Sequence, residues 1–177
     1  GLALLLVPRL RAALPDVVAG RYVLPHAVAP GAVLLWMVHA LMAGGHIVTG
    51  DGATHVTRIS HLARALREGF SPYWDNAFFG GGTLLQFTGP VFHWLGTLAA
   101  LAVGDATLGT KIATVALRFG TAAAMYAYLR QLGLGRAACW VGALFYAGSF
   151  AVTYLVSIRS TFPQVLNLAL MPLILLC

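Results

Sequence analysis

Gly50-Asp51-Gly52-Ala53-Thr54-His55-Val56-Thr57-Arg58-Ile59-Ser60-His61 is the polar stretch on which the reading of this chain turns. It continues through Arg64, Arg67 and Glu68 to Gly69-Phe70-Ser71-Pro72-Tyr73-Trp74-Asp75-Asn76. Four of the five acidic residues, Asp51, Glu68, Asp75 and Asp105, fall between positions 51 and 105. The rest is oily. Hydrophobic residues make up 59% and charged residues 9%, against about 25% charged in a typical soluble domain. That composition reads as a polytopic membrane protein, which concentrates ionisable groups where it does chemistry or meets water. The stretch is therefore the expected functional loop, and the remainder its scaffold.

Helical periodicity over 54–68 places Val56, Ile59, Leu62, Ala63 and Leu66 on one face. Arg58, His61, Arg64 and Glu68 fall on the other, with Arg67 at the boundary. This is the pattern of an amphipathic helix lying in the membrane interface, apolar side down. Thr54 is the expected N-cap and Gly69 the C-terminal stop. A solvated connector has the same periodicity. Asp51, just past a hydrophobic run and four residues before His55, favours the functional reading.

Working outward, apolar runs at 31–48, 106–129, 137–158 and from 165 to 177 are the expected spans; a full crossing takes roughly 17–25 residues. The run 88–103 opens on Gly89-Pro90 and is short, so it reads as interfacial or re-entrant. Residues 8–30 carry three arginines and four prolines and read as an irregular basic segment, with 1–7 as the tail of a helix. The glycines of 80–82 make a flexible turn, and no GxxxxGK[ST] pattern follows to support a nucleotide loop. The expected fold is all-α: one polytopic transmembrane helical bundle over 1–177, with the amphipathic helix in its first external loop. Because the chain opens on Gly1 and closes at Cys177 inside an apolar run, it is expected to be a fragment of a longer protein.

The net charge of +6 reports orientation rather than nucleic-acid binding. With 88–103 in the interface, Arg9, Arg11 and Arg21 share the cytoplasmic side with Arg130 and Arg136. The segment 51–105 then faces outward, and so does 159–164. Cys139 and Cys177 lack metal-ligand spacing. His39 and His46, seven apart, share a helix face and are expected to serve packing. His39 and Arg118 are the ionisable residues placed nearest mid-depth.

These residues resemble the N-terminal module of GT-C-type membrane glycosyltransferases. The resemblance is to the bacterial and archaeal group of YfhO-like and 6-pyruvoyl-tetrahydropterin synthase-related integral membrane proteins. It rests on Asp51 and His55 after the first span, on Ala65-Leu66-Arg67-Glu68-Gly69, and on Pro72-Tyr73-Trp74. The segment 159–172 resembles that group's second external loop and following helix. Two departures stand out. Gly52 follows Asp51 where protein O-mannosyltransferase-like members carry an Asp-Glu pair, and the YfhO-like group is expected to have an acid near Gln164, where this chain has an amide.

The resemblance implies sugar transfer from a polyprenyl-phosphate donor to an acceptor outside a bacterial or archaeal plasma membrane. Asp51 is then the candidate general base. His55 orients it, or shares a divalent metal with it, or is merely solvated. Arg58, Arg64 and Arg159 suit the departing phosphate, and lipid headgroups equally. Tyr73 and Trp74 serve for sugar stacking or as interface anchors; Asp75 is a second carboxylate, and Gln164 completes the candidate substrate site. A transporter or flippase of a lipid-linked intermediate is the alternative, and a non-catalytic assembly subunit the third.

Overall fold

The computed structural model describes residues 23–43, 45, 47, 50–76, 81–83, 85, 89–157, 159 and 161–175. The expected basic segment is therefore described only from residue 23; the helix tail over 1–7, His46 and residues 176–177 lie outside the described residues. Helix α1 spans Val23–Met42, beginning and ending earlier than the expected 31–48. Pro25 falls in its first turn, where a missing N–H costs nothing. Its end is set chemically: Lys111 Nζ donates to the carbonyls of Ala43 at 2.6 Å and Gly45 at 2.9 Å. A cation there satisfies acceptors that a helix terminus leaves open.

Helix α2, Gly52–Glu68, is the amphipathic element. Asp51, not Thr54, takes its N-cap position, and the carboxylate makes no capping bond. Gly69 ends it at φ +77°, its N–H bonded to the Ala65 carbonyl at 2.9 Å. Ile59, Leu62 and Ala63 are buried as expected, but Leu66 is 48% exposed. The apolar face packs on protein, with Ile59 in one core cluster with Phe92 and Phe162. It is thus not the face laid on lipid.

Beyond Gly69 the chain forms a two-rung antiparallel ladder, β1 (Trp74–Asp75) with β2 (Gly82–Thr83). Trp74 sits opposite Thr83 and Asp75 opposite Gly82, so part of the expected flexible turn is paired strand. The other regular elements among the described residues are helices. Helices α3 (Pro90–Val103) and α4 (Ala106–Gln131) form a hairpin through Gly104 and Asp105. Gly104 takes φ +79°, and Asp105 Oδ1 accepts the Leu108 N–H at 2.6 Å. Where they cross, a Cβ on Gly109 would lie 2.5 Å from the Ala100 nitrogen, so the backbones meet because position 109 carries no side chain.

The expected span 137–158 is two helices, α5 (Arg136–Ala147) and α6 (Phe150–Ser157). Gly148 and Ser149 break it: the Gly148 N–H still reaches the Leu144 carbonyl, while Ser149 Oγ accepts from the Val152 N–H at 3.4 Å and starts the next helix. Helix α7 covers Phe162–Leu175. The Tyr146 hydroxyl ties α5 to it by donating to the Leu168 carbonyl at 2.9 Å.

Helix α4 is the axis. Its Ala113 and Leu117 join Ile59, Phe92, Val152 and Phe162 in one core, and its Ala122 joins Leu34, Ala143 and Ala147 in a second. The result is an all-α bundle with two stretches, Ala106–Gln131 and Arg136–Leu155, long and apolar enough to cross a membrane among the described residues.

Candidate functional site

The turn before α2 is docked onto the segment after α6. Gly50 holds φ +46° against the Arg159 backbone, and the Asp51 N–H donates to the Arg159 carbonyl at 2.9 Å. Arg159 is itself held, its N–H reaching the Tyr154 carbonyl, while the Thr161 N–H reaches Leu155 and the Gln164 N–H reaches Thr161. Two polar segments over a hundred residues apart in sequence thereby share one corner. Asp51 and Arg159 are exposed at this corner, and Gln164 is exposed in the first turn of α7.

One helical turn inward, the His55 N–H closes on the Asp51 carbonyl at 3.1 Å and its ring is 4% exposed. It lies among the rings of Phe92 at 5.8 Å, Phe162 at 5.5 Å and His93 at 5.1 Å. His55 Nδ1 and His93 Nε2 are 3.0 Å apart, and His93 Nδ1 is 3.3 Å from the Gly89 carbonyl. A carbonyl only accepts, so His93 Nδ1 carries its proton and His93 Nε2 accepts from His55 Nδ1–H. The lone pair of His55 is left on Nε2. This tautomer follows from the bonding pattern.

Burial pulls the His55 pKa down to about 4, helped by His93 and Arg58 and opposed by Asp51. Burial likewise takes His93 to about 4, with its Gly89 bond opposing and Arg58 adding. Arg58, half-buried, is pulled below its ordinary value by desolvation, and the Asp51 carboxylate works the other way. Asp51 thus acts electrostatically on both His55 and Arg58. The corner combines one carboxylate, one guanidinium and a neutral histidine pair.

The remaining expected residues are arranged elsewhere. Asp75 pairs with His61, Oδ2 to Nδ1 at 3.4 Å, and both are largely buried. His61 was expected on the polar face; it is covered because Asp75 and the Phe70 ring, 5.4 Å away, close over it. The Arg64 guanidinium lies 5.6 Å from the centre of the Phe70 ring. Tyr73 packs edge-on to Trp94 at 6.4 Å, and Trp74 donates from Nε1 to Asn76 Oδ1 at 2.8 Å; both Tyr73 and Trp74 keep half or more of their surface exposed. His93, fully buried, is the residue that sequence reasoning missed. Its signal was a histidine in an apolar run four residues after Gly89, whose carbonyl it needs.

His55 Nδ1 is engaged by His93, and among the described residues no group of three His, Cys, Asp or Glu is placed to hold a metal ion.

The histidine pair makes stability depend on pH. Above the ordinary value of 6.5 both rings are neutral in folded and unfolded chains. Below it the unfolded chain takes up protons that the folded pair refuses until about pH 4, so stability falls across that window. Each pH unit costs up to about 1.4 kcal/mol per ring. Denaturant unfolding from pH 7.5 to 4 is expected to show this loss, and the double variant His55→Asn, His93→Gln to flatten it. An equal slope in both proteins would remove the pair as its source.

No known family model, curated protein or solved structure matches this chain.

Proposed function

We propose that this chain is the N-terminal module of a GT-C-type, YfhO-like glycosyltransferase in the plasma membrane of a bacterium or archaeon, moving a sugar from a polyprenyl-phosphate donor to an outer-face acceptor. The observation that carries this reading is the convergence of Asp51, His55 and Arg58 at a turn bonded to residue 159. The acceptor hydroxyl is a poor nucleophile. Asp51, exposed and not spent on capping, takes its proton as oxygen attacks the anomeric carbon. The bond to the phosphate breaks, and the departing polyprenyl phosphate keeps the electron pair, next to the Arg58 guanidinium. His55, with a pKa of about 4, is neutral at pH 7 and too weak to be the base. It holds the buried side of the corner in shape.

Helices α4 and α5 with α6 cross the membrane in this reading, α3 lies at its outer face, and the 130–136 connector is cytoplasmic. A cysteine at Gln131 is then labelled by a membrane-impermeant maleimide only from the cytoplasmic side, and one at Asn76 only from outside. Labelling of both from one side would rule the arrangement out. The activity itself is tested by supplying full-length protein in lipid with a radiolabelled polyprenyl-phosphate sugar. Label passing to a second molecule supports the enzyme; label crossing the bilayer on its own lipid supports a carrier. One observation favours the carrier: the break at Gly148–Ser149, since carriers build sites on discontinuous helices.

A further inference from the structure

Arg118 lies midway along α4, about 18 Å from its first residue at 1.5 Å per residue. It is 1% exposed, the largest side chain so fully buried. Its Nη2 donates to Thr153 Oγ1 at 2.9 Å, while Nε and Nη1 are buried without an acceptor among the described residues. No described carboxylate compensates the charge. The described acids all fall within 51–105. A buried guanidinium left in this state is strongly unfavourable, so the position calls for an anion.

The surroundings indicate how one arrives. Thr153 sits in the first turn of α6, directly after the break at Gly148–Ser149, and is itself exposed. The guanidinium therefore lies just behind an exposed residue, whose hydroxyl also donates to the Gly148 carbonyl at 3.3 Å. Four N–H donors remain, one on Nε, two on Nη1 and the second on Nη2, directed around more than one edge of the group. One carbonyl oxygen cannot occupy them; a group with several anionic oxygens can, and guanidinium matches phosphate in geometry and charge. We propose that Arg118, with the first turn of α6, forms a buried binding site for a phosphate group.

The sugar-transfer reading places the donor phosphate at Arg58, so the proteins compared all carry Arg58→Gln and differ only at position 118. Retention then reports Arg118 alone, and its failure and the failure of sugar transfer are distinct results. The test uses full-length protein in dodecyl maltoside, a phosphate-free detergent, with farnesyl phosphate, farnesol and inorganic phosphate as probes. With Arg118 intact, farnesyl phosphate is expected to be retained saturably and farnesol not at all. Arg118→Gln is expected to weaken retention at least tenfold. Ligand-free Arg118→Gln should melt no lower than the protein with Arg118 intact, because it removes an uncompensated buried charge. Competition by inorganic phosphate would identify free phosphate as a sufficient ligand; its failure to compete would assign the site to lipid-borne phosphate. Equal retention by Arg118→Gln, or equal retention of farnesol, would overturn the proposal. So would absence of phosphate binding with Arg118 intact together with a lower melting point for Arg118→Gln, the result expected if the chain itself supplies the counter-charge. Should Arg118→Gln not fold, Arg118→Lys keeps the charge and loses the planar donors. Several-fold weaker retention is then expected, and unchanged retention sinks the site.

Discussion

Asp51→Asn is expected to lower sugar transfer about 10²–10⁴-fold, the usual loss on removing a general base, while leaving donor binding near wild type. The substitution keeps the size of the side chain and removes its charge and basicity. It also keeps a residue that is at home at a helix N-terminus. The Asp51 carboxylate makes no capping bond and the residue is exposed, so stability should move by no more than about 0.5 kcal/mol. The measurement is turnover of the polyprenyl-phosphate donor by the full-length protein in lipid, with donor binding and unfolding followed in parallel. Transfer within a few-fold of wild type would remove Asp51 as the base. Lost binding with intact turnover per bound donor would make it a binding residue instead.

The second large effect is on stability, and it comes from a glycine. Gly50 holds φ +46°, and a Cβ there would drive into the carbonyl of Arg159. Gly50→Ala therefore combines backbone strain with a clash against main chain, which cannot rotate away. A loss of roughly 2–4 kcal/mol is expected, accompanied by loss of turnover as the Asp51 turn lifts from residue 159. Gly69→Ala is the control. Gly69 also has positive φ, at +77°, but open space surrounds its Cβ direction, so only the conformational cost of about 1 kcal/mol applies. If the two variants unfold alike, the contact with Arg159 contributes nothing.

Helix existence was legible because apolar runs and glycine stops are local. Gly69 ends α2 and Gly104 ends α3, each with its N–H on the carbonyl four residues back. Other features were not local. The break at Gly148–Ser149 is invisible to an apolar count, since the run stays hydrophobic across it; what decides it is Ser149 turning its hydroxyl to the next helix. Likewise α2 has the periodicity of an interfacial helix, but periodicity does not say whether lipid or protein fills the face. Phe92 and Phe162, from two distant helices, fill it. The histidine pair was hidden for the same reason. His55 and His93 are 38 residues apart, and only the packing of α3 on α2 brings their nitrogens to 3.0 Å.

Lys111 and the end of α1 bear on the order in which the molecule assembles. The two carbonyls that Lys111 caps precede it by 66 and 68 residues. When α1 leaves the ribosome its last turn has no such partner, and it frays as helix ends do. The tie forms only once α4 has been made, since Lys111 lies in its second turn. Helix α1 is therefore finished late, from the middle of the chain, and α4 acts as the template on which its last turn is completed rather than the reverse.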